Sequence, residues 1–260
     1  MTGGRIKHGD FTLLADNYAL YRPGYAPFVL DAFIGLLKDA PNRLTVADVG
    51  AGTGIWSAML AEQGIQVTAV EPNDAMREAG VSRTSDLSIT WRKGSGEKTG
   101  LPDGAFDAVC MASSFHWTDF TLATAEFNRI LKPGGLFIAL WNTRKYETNP
   151  LLVEIEEMLK EMAPNLERVS SGRSAFCAGL SERLRETPFF ADVLYLEGGH
   201  TEEQSHERYI GLWESVNDIR AQAGERIFTE FLARVREKIA SVPVIRAEYL
   251  TRAWIARRKQ

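Results

Sequence analysis

Cysteine is scarce: Cys110 and Cys177 are the only two in 260 residues, and they do not stand at metal-ligand spacing. A disulfide framework and a thiolate metal centre are therefore not expected, and both residues read as reduced thiols in a cytoplasmic protein, with no metal. No apolar run approaches the length of a membrane span, and the opening MTGGRIKHGD lacks the apolar core of a secretory signal. Neither a membrane nor a translocation step is expected. An excess of one charge is missing as well: 30 Lys and Arg stand against 34 Asp and Glu, a formal charge of -4 spread over mixed stretches. Without a basic stripe, nucleic acid is not an expected partner. Repeats, low-complexity segments and linker-like compositions are absent, so one domain over residues 1–260 is expected. The sequence does not set an oligomeric state.

What is present is an alternation of short apolar runs with amphipathic stretches. After a polar start, Phe11, Tyr18, Tyr21 and Tyr25 surround the turn signal Arg22-Pro23-Gly24, and Pro27 opens a stretch with apolar residues at helix spacing. Strands are predicted at 44–49, 65–70, 89–92, 106–111 and 136–141, the last after the Lys132-Pro133-Gly134-Gly135 turn. Helices are predicted at 53–63, 74–80 and 118–131. This order argues a parallel sheet covered by helices on both faces. The second half reads as more helical. An amphipathic face runs from Leu151 to Met162, with further stripes at 209–219 and 227–239, a short strand at 193–196 and a final strand at 248–255. The helices from about 200 to 243 read as an insertion before the last strand, covering part of the sheet edge or the site. The Tyr209–Ile219 stripe, with Trp213, reads first as core and second as a wall of the acceptor chamber.

The chemistry concentrates in VADVGAGTGIW, residues 46–56, taken with Glu71 at the end of the second apolar run. Three glycines alternating with small residues let the backbone turn sharply and leave room for a ligand at the following helix N-terminus. The dinucleotide fingerprint wants glycine at the sixth position of its loop, where this chain has Ile55. An acid at the end of strand two can hold a ribose diol in either a dinucleotide or another nucleotide fold, so the loop alone leaves a nicotinamide-dependent oxidoreductase open.

VADVGAGTGIW resembles the first motif of the class I S-adenosylmethionine-dependent methyltransferases, and AVEPNDAM their acidic second motif. GSGEKTGLP is similar to the adenine-side loop, FDAVCMASSFHW to the fourth-strand motif and LKPGGLFIALWN to the fifth, in the family's order across residues 44–142. FTLLADNYALYRPGY looks like the start of a small-molecule subgroup, and YLTRAWIAR like the antiparallel seventh strand. The resemblance implies an α/β, Rossmann-like doubly wound seven-stranded sheet. It would be mostly parallel with an antiparallel C-terminal strand, have a core of about 44–142, and carry an N-terminal lid over 1–26. It implies S-adenosylmethionine as cofactor and S-adenosylhomocysteine as product. The family would set the methionine moiety against Asp48, Gly50, Ala51 and Gly52, and the ribose diol on Glu71. Adenine would lie along Pro72 and Met76 and reach Ser95, Gly96 and Glu97, where Ser95 replaces the usual acid and Gly96 the common alanine. Ala112 and Ser113 would lie between cofactor and acceptor.

His116 follows at the C-terminal end of strand four, where open α/β sheets bind ligands. It reads either as a general base or orienting donor, or as a crevice-wall residue beside a packing Trp117. Tyr18 and Tyr21 are candidate lid residues, and Arg22 a candidate partner for the cofactor's methionine carboxylate. Tyr21, Trp117, Trp141, Asn142 and Arg144 form the candidate acceptor side, Arg144 favouring an anionic one. The expected activity is methyl transfer to an oxygen or nitrogen of a small metabolite. The alternatives are the nicotinamide oxidoreductase and a non-catalytic binder of the same cofactor.

Overall fold

The computed structural model describes residues 12–37, 43–167 and 175–260, with the backbone alone at position 218. Phe11 and the first part of the expected lid lie outside the described residues. Two helices lead, α1 (Ala15–Tyr21) and α2 (Pro27–Gly35). The alternating core follows: β1 (Thr45–Val49), α3 (Ile55–Glu62), β2 (Gln66–Val70), α4 (Asp74–Arg83), β3 (Ile89–Arg92), β4 (Phe106–Ala112), α5 (Phe120–Ile130) and β5 (Leu131–Arg144). The second half is α6 (Pro150–Met162), α7 (Leu180–Glu186), β6 (Phe190–Gln204), α8 (His206–Glu214), α9 (Asn217–Ile239) and β7 (Ile245–Arg258). No helix among the described residues is long and apolar enough to cross a membrane.

The strands form one seven-stranded sheet in the order β3-β2-β1-β4-β5-β7-β6 among the described residues. β1 to β5 pair in parallel, and β7 runs antiparallel to both β5 and β6. This is the Rossmann-like, mostly parallel arrangement with a reversed C-terminal strand that the resemblance implies. Because side chains alternate across a sheet, each strand feeds two cores. Val46, Ala108, Cys110, Ile138 and Leu140 face α2 and α3, packing on Leu30, Phe33, Trp56 and Leu60. Ala47, Val49, Val109, Met111 and Phe137 face the opposite side, packing on Phe127 of α5 and Leu180 and Leu184 of α7. A third core joins α6, α8 and α9 over the far end of β7, with Ile155, Trp213, Phe231 and Ile245 fully or almost fully buried.

Two expectations change in detail. The predicted 193–196 strand is the middle of β6, fifteen residues long. It continues through Glu197-Gly198-Gly199, where a Cβ on Gly198 would stand 3.0 Å from Phe28 and 3.2 Å from Val29. That glycine lets α2 lie against the edge of the sheet. The insertion accordingly starts at His206 rather than near 200. The Lys132–Gly135 turn is absorbed into β5 as an irregularity: pairing with β4 jumps from Phe106↔Leu131 to Ala108↔Leu136, and Gly134 sits at φ +73°.

Candidate active site

The site forms over the C-terminal ends of β1, β2, β4 and β5, where parallel strands leave a crevice between their outgoing loops. After Val49 the chain reverses on Gly50, Gly52 and Gly54, with φ of +66°, +58° and +77°. The N–H groups of Gly50 and Ala51 both donate to Val70 O, at 2.8 and 3.1 Å, which pins the loop to the end of β2. A Cβ at Gly50 would meet Ser114 at 2.7 Å, so the loop needs glycine both for its dihedral and for its approach to β4. Ile55, at the position where a dinucleotide loop has glycine, points into the wall of the crevice. Its side chain is buried in the core between α3 and the sheet and also borders the cleft.

Glu71 ends β2 and lies almost buried beside this loop. Its Oε2 accepts the Gly52 N–H at 2.8 Å and its Oε1 the Asn73 N–H at 2.9 Å. Burial raises its pKa, and the two backbone bonds pull it back down. The carboxylate is thus fixed in orientation with lone pairs still free for hydroxyl donors. Asn73 also caps α4 by accepting the Met76 N–H, which brings Met76 onto the same wall as Pro72.

Gly50, Ala51, Gly52, Glu71, Pro72, Met76, Ser95, Gly96, Glu97, Ala112 and Ser113 line one cleft of about 1020 Å³, joined by Tyr18 and Trp117. Gly96 has a local reason: a Cβ there would stand 2.5 Å from Thr118 Cγ2, so the common alanine has no room. Ser95 closes a tight turn with Lys98, and Glu97 Oε1 accepts the Asp119 N–H at 2.9 Å, tying the loop to the start of α5.

Asp48 is not on the cleft surface, unlike its expected position. It is fully buried beneath the loop, its Oδ2 accepting Ser57 Oγ at 2.6 Å while Oδ1 has no partner among the described residues. Desolvation pushes its pKa up to about 7 against that hydrogen bond. Alternation along β1 turns Asp48 to the α3 side, under the helix start. Arg22 also departs from its expected position: its Nε donates to Ser215 Oγ at 2.8 Å and its Nη2 to Ser215 O at 3.1 Å, with the guanidinium 4.8 Å from the Tyr18 ring centre. This ties the end of α1 to the end of α8 and turns Arg22 away from the cleft. Tyr21 turns to the outside of α1, packing against Gly211 with its hydroxyl 3.3 Å from Glu207.

His116 sits in the 3-10 turn Phe115–Trp117 and lines neither cavity described here. Its Nδ1 accepts Trp141 Nε1 at 3.2 Å, and its ring packs against Trp117, Trp141 and Phe176. Trp141 itself is buried, edge-on to Trp254. Period-two alternation on β5 turns it to the opposite face from Asn142, away from the acceptor side. Trp117 remains on the cleft rim, 43% exposed.

A second cavity of about 1400 Å³ adjoins the first, sharing Tyr18, Tyr25, Ile55 and Ser113 with it. Asn142 and Arg144 lie here, as the acceptor-side reading expects, together with Arg22. At the junction the Tyr25 and Ser113 hydroxyls are 3.0 Å apart, and Ser113 holds φ +56°, unusual outside glycine. Burial pushes the Tyr25 phenol far above its usual pKa. Asn142 is committed, donating to Gly24 O and accepting from Thr251 Oγ1. Arg144 is ion-paired through Nη2 with Glu156 of α6, 4.5 Å from the Trp213 ring centre. Leu212, Trp213 and Val216 close this cavity from the helical insertion, so the stripe at 209–219 is core on one side and chamber wall on the other.

Sequence reasoning missed Tyr25 and Glu156. Glu156 carried a signal, being a carboxylate four residues after Leu152 and three before Leu159, on the buried stripe of α6. Tyr25 carried none beyond its place in an aromatic cluster.

Comparison with known proteins bears on this geometry directly. Residues 47–139, the strands and loops that build the cleft, match the family described as a methyltransferase domain. An uncharacterised methyltransferase of Mycobacterium tuberculosis is 39% identical over 127 residues, 49% of either chain. The ubiquinone/menaquinone biosynthesis C-methyltransferase of Caulobacter vibrioides is 28% identical over 200 residues, 70% of this chain and 78% of that one. Over residues 47–139 the chain resembles the class I S-adenosylmethionine-dependent methyltransferases. Across its first curated relatives the chain spans about half their length. A structure from Anaeromyxobacter dehalogenans, described as a type II methyltransferase, shares the fold of this chain. It has a TM-score of 0.64 at 23% identity, covering 91% of this chain and 98% of that one.

Proposed function

We propose that the chain transfers a methyl group from S-adenosylmethionine to an oxygen or nitrogen of a small molecule. The observation that carries this reading is the pair of adjoining cavities, with the Glu71 carboxylate in one and the Tyr25–Ser113 pair where they meet. The cleft residues fit the cofactor. A glycine floor without side chains, an oriented carboxylate able to accept a diol, and the apolar wall of Pro72 and Met76 are what a nucleoside with a charged tail requires.

Bound there, S-adenosylmethionine would supply an activated methyl group on its sulfonium. The chain's task is then to position the acceptor in line and keep water out. Tyr18 stands on the walls of both cavities and Trp117 on the rim of the first, which suits a closing function. Tyr25 stays a neutral hydroxyl at any working pH, so it orients an acceptor atom through its hydrogen bond and does not remove a proton from it. His116, held by Trp141 away from both cavities, is a structural residue in this reading.

Calorimetry tests the cofactor assignment. S-adenosylhomocysteine should bind, and Glu71→Ala should weaken it by at least about tenfold, since hydrogen bonds to a charged acceptor contribute about 1.5–3 kcal/mol each. Unchanged affinity in that variant would falsify the site. Thermal stabilisation by NAD(H) and not by S-adenosylhomocysteine would favour an oxidoreductase. Binding without turnover of labelled cofactor on a metabolite extract would identify a non-catalytic binder.

A further inference from the structure

The second cavity has a chemistry of its own. Two guanidinium groups, Arg22 and Arg144, reach it against one carboxylate, Glu156, so its charged side chains sum to +1. Arg144 and Glu156 are mostly enclosed, their side chains 13% and 18% exposed, and they pair with each other. The single acid is therefore spent. Arg22 commits Nε and Nη2 to Ser215, leaving Nη1 without a partner among the described residues. Arg144 commits only Nη2. An excess of cationic charge in a partly enclosed hollow is an unfavourable arrangement unless a ligand completes it. The remaining surface is aromatic, with Tyr18, Tyr25 and Trp213 presenting ring area to whatever enters.

Resting on the methyltransferase reading, we propose that this cavity is the acceptor chamber and that its substrate is a small carboxylate with a flat, unsaturated body. The carboxylate takes the free guanidinium edges of Arg22 and Arg144, while the flat body lies among the rings and extends toward Ser113. A guanidinium matches a carboxylate in plane and in spacing, which a neutral amide cannot reproduce. An ammonium acceptor is disfavoured, because the one acid it could pair with is held by Arg144. Arg22 serves a second purpose in this arrangement. Since Ser215 caps the end of α8, an acid drawn to Arg22 also binds to the joint between α1 and the helical insertion.

The test uses the protein saturated with S-adenosylhomocysteine and three probes that share one ring and differ in charge: benzoate, benzamide and benzylamine. Calorimetry should give benzoate at least about tenfold tighter than benzamide, with no binding of benzylamine. Arg22→Met should remove the preference for the acid and Arg22→Lys should restore part of it, separating charge recognition from a loosened α1. Equal binding of benzamide, no binding of benzoate, or benzoate affinity unchanged in Arg22→Met overturns the acid assignment while cofactor binding stands. Failure of S-adenosylhomocysteine to bind the unaltered protein overturns the methyltransferase reading, and this one falls with it.

Discussion

Asp48 offers a test of the site that needs no ligand. Its carboxyl is fully buried under the glycine loop with one hydrogen bond, from Ser57, and burial lifts its pKa from an ordinary 3.8 to about 7. A group whose folded pKa is raised binds its proton more tightly folded than unfolded. The stability it contributes is full at low pH and is lost as pH climbs from the unfolded value to the folded one. The whole interval of about three units corresponds to about 4 kcal/mol, and integration between about pH 5.5 and 8.5 gives about 2 kcal/mol of that loss. Asp48→Asn keeps the shape of the protonated carboxyl and can still accept from Ser57, but it does not ionise. Urea unfolding of both proteins across this range should therefore show the variant gaining on the wild type by about 2 kcal/mol as pH rises. Asp107 and Glu126, both lowered by hydrogen bonds, titrate in both proteins and cancel in the difference, while Glu71, also raised, is coupled to Asp48 and adds to it. Parallel profiles would refute the claim that Asp48 is desolvated. A variant that loses ground with rising pH would refute its sign.

Three further outcomes follow from the geometry. Gly50→Ala should destabilise the fold by at least about 1–2 kcal/mol from its left-handed dihedral alone, before the clash with Ser114, and should abolish S-adenosylhomocysteine binding; a neutral effect in chemical unfolding would show that the loop relaxes freely. Gly96→Ala should lower Tm, and the double variant Gly96→Ala/Thr118→Ser, which removes the Cγ2 in contact, should recover most of the loss; additive losses in that double-mutant cycle would sink the steric account. His116→Ala should lower Tm through lost packing and the broken Trp141 bond while leaving the pH profile of kcat unmoved; a kcat loss that shrinks at high pH would return His116 to the role of base.

The half of the molecule built around the glycine loop was legible in the sequence because its determinants are local. The glycine loop, the acid nineteen residues beyond Gly52 and the turn of strand four are each set by a few consecutive residues. Strand alternation then orders them without long-range information. Errors came where a residue's direction is decided by distant partners. Asp48 and Trp141 sit at the right strand ends but face the wrong way for their expected contacts, because which face of a strand is wet depends on the helices that cover it. Arg22 is fixed by Ser215, 193 positions away, which no local pattern reports. The sequence pattern predicts only four residues of β6, because half its face is polar, as an edge strand permits, while Gly198 serves helix packing.

The half that holds the second cavity was illegible for the same reason carried further. Its cavity is assembled from the end of α1, the overhang of β5 beyond β4, the inner face of α6 and the insertion after β6. Each piece is unremarkable alone. The Arg144–Glu156 pair is the telling case, since each partner reads separately as a solvated charge and only the packing of α6 against the end of β5 brings them together in a mostly enclosed site. Enclosing an ion pair is unfavourable unless other contacts compensate it. Here the pair removes the one acid that would otherwise repel an anion, and it leaves Arg144 with free N–H groups facing the hollow. A double variant Arg144→Met/Glu156→Met, of similar volume and no net charge change, should thus fold with stability equal to or above the wild type while losing affinity for small acids. If the pair were purely structural, acid binding would survive that exchange.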